Sequence, residues 1–210
     1  NGVTMTVRRA VTALAALWLG LTLGMQIGPT APRAVAHPHI WIDATVGVVA
    51  REGRVQELAV VWKFDPLFSA MVVADFDRNR NGRLDPDEVD ELAALTVPSI
   101  AEFDYFTHLR VDDEKIKIDD VKGFRIEVRD RILYYSFVVP VEPPVDPRTT
   151  EISFSVFDQS YYTDLNLERD GAIRLMGDWA PGCRTDQTED LANPIYFGLV
   201  FPIRHVVRCD

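Results

Sequence analysis

The stretch that decides the fold reads IWIDATVGVV at residues 40–49, REGR at 51–54 and VQELAVVWKF at 55–64. The first and third segments are rich in β-branched and aromatic residues, which favour strands. The short segment between them carries a glycine among charged residues, which is typical of a turn. The sequence therefore predicts a β-hairpin over residues 40–64.

Later segments repeat the strand pattern. Residues 124–128 and 151–157 alternate apolar and polar side chains, and 132–141 form a longer strand-like run. Two more short strands are predicted at 165–167 and 172–176, on either side of a turn. These seven to nine short strands predict a mainly β protein with an α insert. The expected architecture is an antiparallel β-sandwich-like domain that carries an EF-hand-like helix–loop–helix.

The helical insert follows the second strand, at about residues 66–106. Apolar residues recur at helical spacing over 66–76, directly after Asp65, and again over 86–95. Pro98 is predicted to open a further short helical piece. The apolar run at 195–203 is too short to span a membrane and is predicted to be a final buried strand or a partner surface.

Between the two helices, residues 77–88 read DRNRNGRLDPDE and fit the calcium-loop pattern D-x-[DN]-x-[DN]-G-x5-E at every fixed position. This spacing lets several oxygen atoms of one short loop converge on a hard cation. The predicted Ca²⁺ ligands are the side chains of Asp77, Asn79, Asn81, Asp85 (directly or through water) and Glu88, and the backbone carbonyl of Arg83. The alternative is a polar turn that binds nothing.

Two further features of this loop refine the prediction. Gly82 stands where the loop turns sharply and a positive φ is needed. Asp85, Pro86 and Glu88 have the arrangement of a capping box at the start of the exit helix. Only three of the ligands are carboxylates, so the expected calcium affinity is weak, with a dissociation constant of about 10⁻⁴ to 10⁻³ M.

The first 36 residues have the composition of a secretory signal. Arg8 and Arg9 follow the plausible start Met5, an apolar run occupies residues 10–25, and the segment ends in AVA at 34–36. Cleavage after Ala36 would leave one periplasmic domain, residues 37–210. An uncleaved membrane anchor is the alternative, although the apolar run is shorter than the roughly 20 residues of a spanning helix.

Charge limits the partners of the mature chain. The formal net charge of the full sequence is −10, and loss of Arg8, Arg9 and Arg33 with the signal would change it to −13. Such an acidic protein is a poor partner for nucleic acids and for anionic membranes. The chain has two cysteines, Cys183 and Cys209, and export to an oxidising compartment favours a disulfide between them. Free structural thiols or a thiolate ligand are the alternatives.

A second metal site is predicted at the mature N-terminus. Cleavage would expose the terminal amine and imidazole of His37, with His39 two residues later. Imidazole suits Zn²⁺, Cu²⁺ or Ni²⁺, and Pro38 excludes the square-planar mode that uses deprotonated backbone amides. The candidates for the remaining ligands are Asp104, His108 and Asp158, together with Asp43 and His205. Spacing alone does not show which of them lie near the histidines. The alternative is that both histidines begin a solvated strand.

Several motifs resemble an exported family of poorly defined function. They are HPHIWIDA at 37–44, WKFD at 62–65 with FSA at 68–70, the calcium-loop region, EFDYFT at 102–107, VFDQSYY at 156–162 and PGC at 181–183. Members of that family are described as periplasmic components of ABC-type transport and are found beside nickel/cobalt-type transporters. The resemblance implies a role in transition-metal traffic, with the HPH segment as the metal site. Here His108 replaces an aromatic residue that is usual in the family, and residues 193–210 match nothing in it.

The function expected from the sequence is therefore non-enzymatic. The chain would bind a transition metal as an accessory or solute-binding component of a membrane metal transporter, and the calcium loop would be structural. One alternative is a copper oxidase with a histidine brace at His37, and another is a structural module that binds only calcium. The sequence has no G-x-S-x-G motif and no glycine-rich phosphate loop, which leaves a serine nucleophile or a phosphate site without support.

Overall fold

The computed structural model describes residues 38–167 and 170–209. The predicted signal peptide and His37 lie outside the described residues. The described chain is mainly β, with eleven strands and two α-helices. The strands are β1 (Ile40–Arg51), β2 (Arg54–Phe64), β3 (Thr107–Val111), β4 (Glu114–Ile116), β5 (Lys122–Arg129), β6 (Ile132–Val145), β7 (Ile152–Val156), β8 (Thr163–Asn166), β9 (Ile173–Gly177), β10 (Arg184–Glu189) and β11 (Ile203–Arg208).

The predicted hairpin is confirmed, because β1 and β2 pair antiparallel from Ile42 opposite Phe64 to Arg51 opposite Arg54. Alternate residues of both strands are buried. Trp62 lies among the rings of Phe106 and Phe137, with centroid distances of 5.8 Å and 5.0 Å. The hairpin thus supplies the centre of the hydrophobic core.

Two sheets contribute to that core. The first has the order β5-β6-β2-β1-β8, with β9 also paired to β1, and the second has the order β10-β11-β7-β3-β4. Buried apolar residues of both sheets belong to one cluster, so the arrangement is sandwich-like. Strand β10 has the sequence RTDQTE, which contains no apolar residue that would have marked it as a strand.

The predicted all-antiparallel pairing is wrong for two strands. β8 and β9 run parallel to β1 on the side opposite β2, one after the other. β8 pairs with residues 40–43 of β1 and β9 with residues 46–50, so the two strands do not form a hairpin with each other. The end of β9 lies very close to the backbone of β1, and a glycine makes this approach possible. Gly177 has a φ of +91°, and a Cβ at that position would lie 2.2 Å from the Ala50 carbonyl oxygen.

The helical insert is confirmed as a pair of helices, α1 (Pro66–Phe76) and α2 (Pro86–Ala101), followed by a 3₁₀ turn at Asp104–Phe106. The prediction that Pro98 opens a separate helix is wrong, because α2 continues through it. Val97 and Ile100, on either side of the proline, both pack against the core and hold the helix together. No helix in the described part of the chain is long and apolar enough to cross a membrane.

The prediction of a buried strand at 195–203 is also wrong. The segment folds into a 3₁₀ turn at Tyr196–Gly198, closed by a bridge between Ile195 and Val200. Phe197 is 96% exposed, and the last strand starts only at Ile203. Tyr196, Phe197 and Gly198 all have positive φ values, and this left-handed turn interrupts the extended backbone of the apolar run.

Candidate functional site

Helix α1 connects the two predicted metal sites. Its first residues are capped by Asp65, whose Oδ1 accepts hydrogen bonds from the backbone N–H groups of Leu67 and Phe68, both at 2.9 Å. The other oxygen of Asp65, Oδ2, accepts the N–H of Trp41 at 3.2 Å, and the Asp65 N–H donates to the Trp41 carbonyl at 2.9 Å. The start of α1 is therefore fastened to the beginning of β1, two residues after His39.

Helix α1 ends at the first residue of the predicted calcium loop. Asp77 is only 8% exposed, and its two carboxylate oxygens accept the N–H groups of Asn81 at 3.0 Å and Gly82 at 2.7 Å. Gly82 has a φ of +79°, the left-handed conformation expected from the sequence. The loop therefore folds back over the Asp77 carboxylate.

Glu88 closes the other end of the loop. It is 2% exposed, and its carboxylate oxygens accept the N–H of Arg78 at 2.8 Å and the N–H of Asp85 at 2.9 Å. The second of these bonds is half of the capping box of α2. The two least exposed carboxylates of the loop, at positions 77 and 88, are thus both held by backbone donors.

The middle of the loop contributes amide groups. The side-chain N–H groups of Asn79 and Asn81 donate to Asp85 Oδ2 at 2.6 Å and 3.1 Å. Across residues 38–167 and 170–209, no cluster of three or more His, Cys, Asp or Glu side chains is arranged to hold a metal. A Ca²⁺ ion in this loop would be bound by a mixed set of carboxylate, amide and carbonyl oxygens, and both asparagines would have to turn their oxygens toward it.

His39 lies at an exposed edge of the first sheet. Its N–H donates to the Tyr162 carbonyl at 2.8 Å, and the two rings are 4.7 Å apart. The parallel register places Trp41 beside Asp164 and Asp43 beside Asn166. Because Thr163 and Leu165 are buried, Asp164 is on the same outer face as Trp41 and Asp43. A cavity of about 270 Å³ opens on that face.

Three other predicted ligands of the histidine site, Asp104, His108 and Asp158, make contacts of their own. Asp104 forms an ion pair with Lys115 at 2.7 Å. The His108 ring stacks on Phe157 at 3.8 Å, with Nε2 3.1 Å from the Phe157 carbonyl oxygen, and burial lowers its pKa.

Asp158 is 5% exposed and caps a turn. Its Oδ1 accepts the Ser160 N–H and hydroxyl, both at 2.8 Å, and its Oδ2 accepts the Thr163 N–H at 3.0 Å. This last bond orders the start of β8 next to Ile40. Asp158 therefore supports the strand beside His39, and Asp164, the other acid of the DQSYYTD segment at 158–164, lies on that strand. A parallel partner strand has no local signal in the sequence, so spacing alone could not place Asp164 beside Trp41.

Cys183 and Cys209 form a disulfide across 26 residues of sequence. The bridge stands next to the first pair of the β10–β11 ladder, Arg184 opposite Arg208. It ties the last strand of the second sheet to the edge strand that precedes it.

Sequence comparison places the chain among proteins whose function is not described. The family described as "Protein of unknown function (DUF1007)" matches residues 23–193. An uncharacterized 15.5 kDa protein from the trpE 3' region of Spirochaeta aurantia is 27% identical over 104 residues, which cover 50% of this chain and 74% of that protein. An uncharacterized protein of Haemophilus influenzae is 25% identical over 141 residues, 66% of each chain. No solved structure matches the chain significantly.

Proposed function

The chain belongs to the DUF1007 family of proteins of unknown function, and from its own residues we propose that it is a periplasmic metal-binding protein. In this proposal it acts as an accessory or solute-binding component of transition-metal transport. His37 and His39 bind Zn²⁺, Ni²⁺ or Cu²⁺ as cargo, and the loop at 77–88 binds Ca²⁺ as a structural ion.

One observation carries the proposal, namely the reciprocal pair of hydrogen bonds between Trp41 and Asp65. These bonds fix the beginning of β1, just after His39, to the first turn of α1. The same helix ends at Asp77, the first residue of the loop. A single helix of 11 residues therefore links the histidine segment to the loop. A bound Ca²⁺ ion would hold the C-terminal end of α1 in place.

The surroundings of His39 suit a transition metal. Imidazole nitrogen is a preferred donor for these ions, and a carboxylate completes many mixed sites. Asp164 and Asp43 lie on the same outer face of the first sheet, on the neighbouring strand and on β1 itself, and Asp43 lies 3.8 Å from the Lys63 ammonium group. We assign Asp164 as the first carboxylate to test beside the two histidines.

Isothermal titration calorimetry tests the site. The mature protein, secreted to the periplasm and stripped with a chelator, is titrated with Zn²⁺, Ni²⁺ or Cu²⁺. We expect one equivalent of at least one of these metals to bind, and the double variant His37→Ala, His39→Ala to lose it.

The matched control is His108→Ala, which removes an imidazole that stacks on Phe157 and leaves the N-terminal segment intact. We expect it to keep full stoichiometry. Stoichiometric binding in the double variant would overturn the histidine assignment.

The transport role has a separate test. Cells that lack the protein should accumulate an altered amount of the metal that the purified protein binds, and the wild-type chain should restore the normal amount. The double variant should fail to restore it. Unchanged metal content in the deletion strain would contradict the transport role and leave the binding site itself standing.

A further inference from the structure

The connection between β10 and β11 is an apolar loop at the end of a charged hairpin. The ladder of the two strands ends at Glu189 opposite Ile203. Residues 190–202, here called the hairpin loop, connect them, and a hydrogen bond from the Asp190 N–H to the Pro202 carbonyl at 2.8 Å closes the base of the loop. The left-handed turn described above is its tip. The proposed function makes no use of this loop.

The hairpin loop exposes large apolar side chains to water. The exposed fractions are 67% for Leu191, 96% for Phe197, 69% for Leu199 and 41% for Phe201. With aromatic side chains of 150–250 Å² each, these fractions correspond to an exposed apolar area on the order of 500 Å². That is the size of the largest exposed apolar patch on a typical monomer, which often has a function.

Exposure of Phe197 is built into an ordered turn. The φ values of Tyr196, Phe197 and Gly198 are +47°, +57° and +83°. Bulky residues rarely adopt this conformation, and it persists where the surrounding structure enforces it. Here the Gly198 N–H donates to the Ile195 carbonyl at 3.1 Å, and the Leu199 N–H donates to the following carbonyl at 3.2 Å. The aromatic ring is therefore presented to solvent by a hydrogen-bonded turn.

Charge divides the hairpin along its length. Residues 193–203, NPIYFGLVFPI, contain no charged side chain. At the other end of the hairpin, the Asp186 carboxylate lies 3.4 Å from the Arg184 guanidinium and 3.6 Å from that of Arg208. Glu189, also exposed, marks the end of the charged part. The hairpin thus has a charged stem and an uncharged apolar tip, a distribution that matches the boundary between water and an apolar phase.

The exposed area favours a lipid surface over a protein. A stable contact with a second copy of the chain, or with another protein, buries about 800 Å² on each partner. The apolar area of the hairpin loop is smaller than this, and its side chains lie on a projecting turn. A bilayer surface deforms around such a turn, and the strength of binding follows the apolar area that is buried. The net charge of −13 expected for the mature chain disfavours anionic lipids.

We propose that the hairpin loop inserts its tip into the surface of a zwitterionic lipid bilayer. Phe197, Leu199 and Phe201 enter the boundary between the headgroups and the acyl chains, where aromatic side chains are favoured. The charged part of β10 and β11 stays in water. The attachment is peripheral and reversible, and it depends on neither of the two metal sites in the proposed function.

Co-sedimentation of the full mature protein with phosphatidylcholine vesicles tests the proposal. We expect the bound fraction to rise with lipid concentration. The double variant Phe197→Ser, Leu199→Ser should lower the partition coefficient at least about tenfold, because two large apolar side chains no longer enter the bilayer. Replacing part of the phosphatidylcholine with phosphatidylglycerol should weaken the binding of the wild type, because vesicle and protein then repel each other.

The matched control is the double variant Leu67→Ser, Met71→Ser. Both of these side chains are exposed on α1, away from the hairpin loop. Its partition coefficient should equal that of the wild type. Both double variants change exposed residues, so their melting temperatures should stay close to the wild-type value, and a loss of vesicle binding then reports on the loop itself.

A tryptophan at the tip gives a local signal. In Phe197→Trp, the difference in emission from the wild type should shift to shorter wavelength when phosphatidylcholine vesicles are added, because the new indole leaves water.

Four results would overturn the proposal. They are no binding to phosphatidylcholine at millimolar lipid, an unchanged partition coefficient in Phe197→Ser, Leu199→Ser, an unshifted emission difference in Phe197→Trp with bound protein, and stronger binding to the vesicles that contain phosphatidylglycerol. A dimer of the wild type that dissociates in the Phe197→Ser, Leu199→Ser variant would also overturn it and assign the loop to a second copy. None of these results bears on whether His37 and His39 bind a metal.

Discussion

The loop at 77–88 and the edge at His39 are built in opposite ways. All the predicted calcium ligands lie within twelve consecutive residues, and local hydrogen bonds arrange them around Asp77 and Glu88. At the other site, Asp164 reaches the neighbourhood of His39 only because β8 pairs parallel with β1. The first site is a property of a short peptide, whereas the second depends on the assembled sheet.

This difference predicts different responses to mutation. A substitution in the loop should change calcium binding with little effect on the sheets. A substitution at the sheet edge should act through the pairing of strands that are distant in sequence. Helix α1 is connected to both regions through its capping residues, Asp65 before its first turn and Asp77 after its last.

The largest effect is expected for Glu88→Gln. Glutamine has a single acceptor oxygen where the carboxylate accepts two backbone N–H groups, so the unfolding free energy should fall by about 1–3 kcal/mol. Calcium affinity should fall at least about tenfold, because the bidentate ligand is lost. Thermal unfolding with and without calcium measures both effects.

The control for that variant is Glu91→Gln. Glu91 is one turn further along α2, and its side chain is 54% exposed. We expect its calcium response to equal that of the wild type. A full calcium-dependent rise in melting temperature in Glu88→Gln would show that the loop does not bind calcium through this residue.

The protonation of His205, a buried residue of β11, tests a region that depends on the assembled sheet. Its pKa in the folded chain, about 4, is below the ordinary histidine value of 6.5, so the unfolded chain takes up the proton first. The neutral His205 ring therefore adds to the unfolding free energy in full above pH 6.5. This contribution is lost as pH falls toward 4, and its upper limit is about 3 kcal/mol.

The measurement is the difference in unfolding free energy between the wild type and His205→Phe at several pH values. Groups that the two proteins share contribute equally to both and cancel in this difference. The advantage of the wild type should shrink between pH 6.5 and 4. A difference that is constant with pH would contradict the account of His205 as a buried neutral ring.

A smaller effect tests whether the two regions are coupled. Because α1 ties the loop to the strand after His39, Glu88→Gln should weaken transition-metal binding by about fivefold, at the low end of known couplings between sites. This ratio of affinities is measured by calorimetry in the presence of calcium, with the transition metal that the wild type binds. Full affinity in the variant would show that the two sites are independent.

The smallest expected effect is that of Asn81→Asp. The Asn81 amide donates to Asp85, so a carboxylate in its place would face another carboxylate. Without calcium the protein should be destabilised by about 1 kcal/mol, and the calcium-induced rise in melting temperature should increase because the loop gains a charged ligand. A calcium response equal to that of the wild type would argue against an ion between these two side chains.

The elements that the sequence predicted well have local determinants. The β1–β2 hairpin follows from strand propensity around a glycine turn, and the two helices follow from apolar spacing with Asp65 and Asp85 before them. The loop conformation at Gly82 is likewise local. Each of these depends on residues that are close together in the chain.

The errors involve features that have no local signature. The parallel pairing of β8 and β9 with β1 depends on partners far away in the sequence. The apolar composition of 195–203 does not distinguish a buried strand from an exposed turn, and three successive residues of the turn, 196–198, have positive φ. For the same reason, the position of Asp164 beside Trp41 could be seen only in the three-dimensional structure.

The central claim is that His37 and His39 hold a transition metal while the loop holds calcium. Elemental analysis of the mature protein purified from the periplasm, combined with its intact mass, tests this claim most directly. We expect a chain that begins at His37 and contains one calcium and one zinc, nickel or copper ion, and we expect the transition metal alone to disappear in the double variant His37→Ala, His39→Ala. The same transition-metal content in that variant would contradict the account.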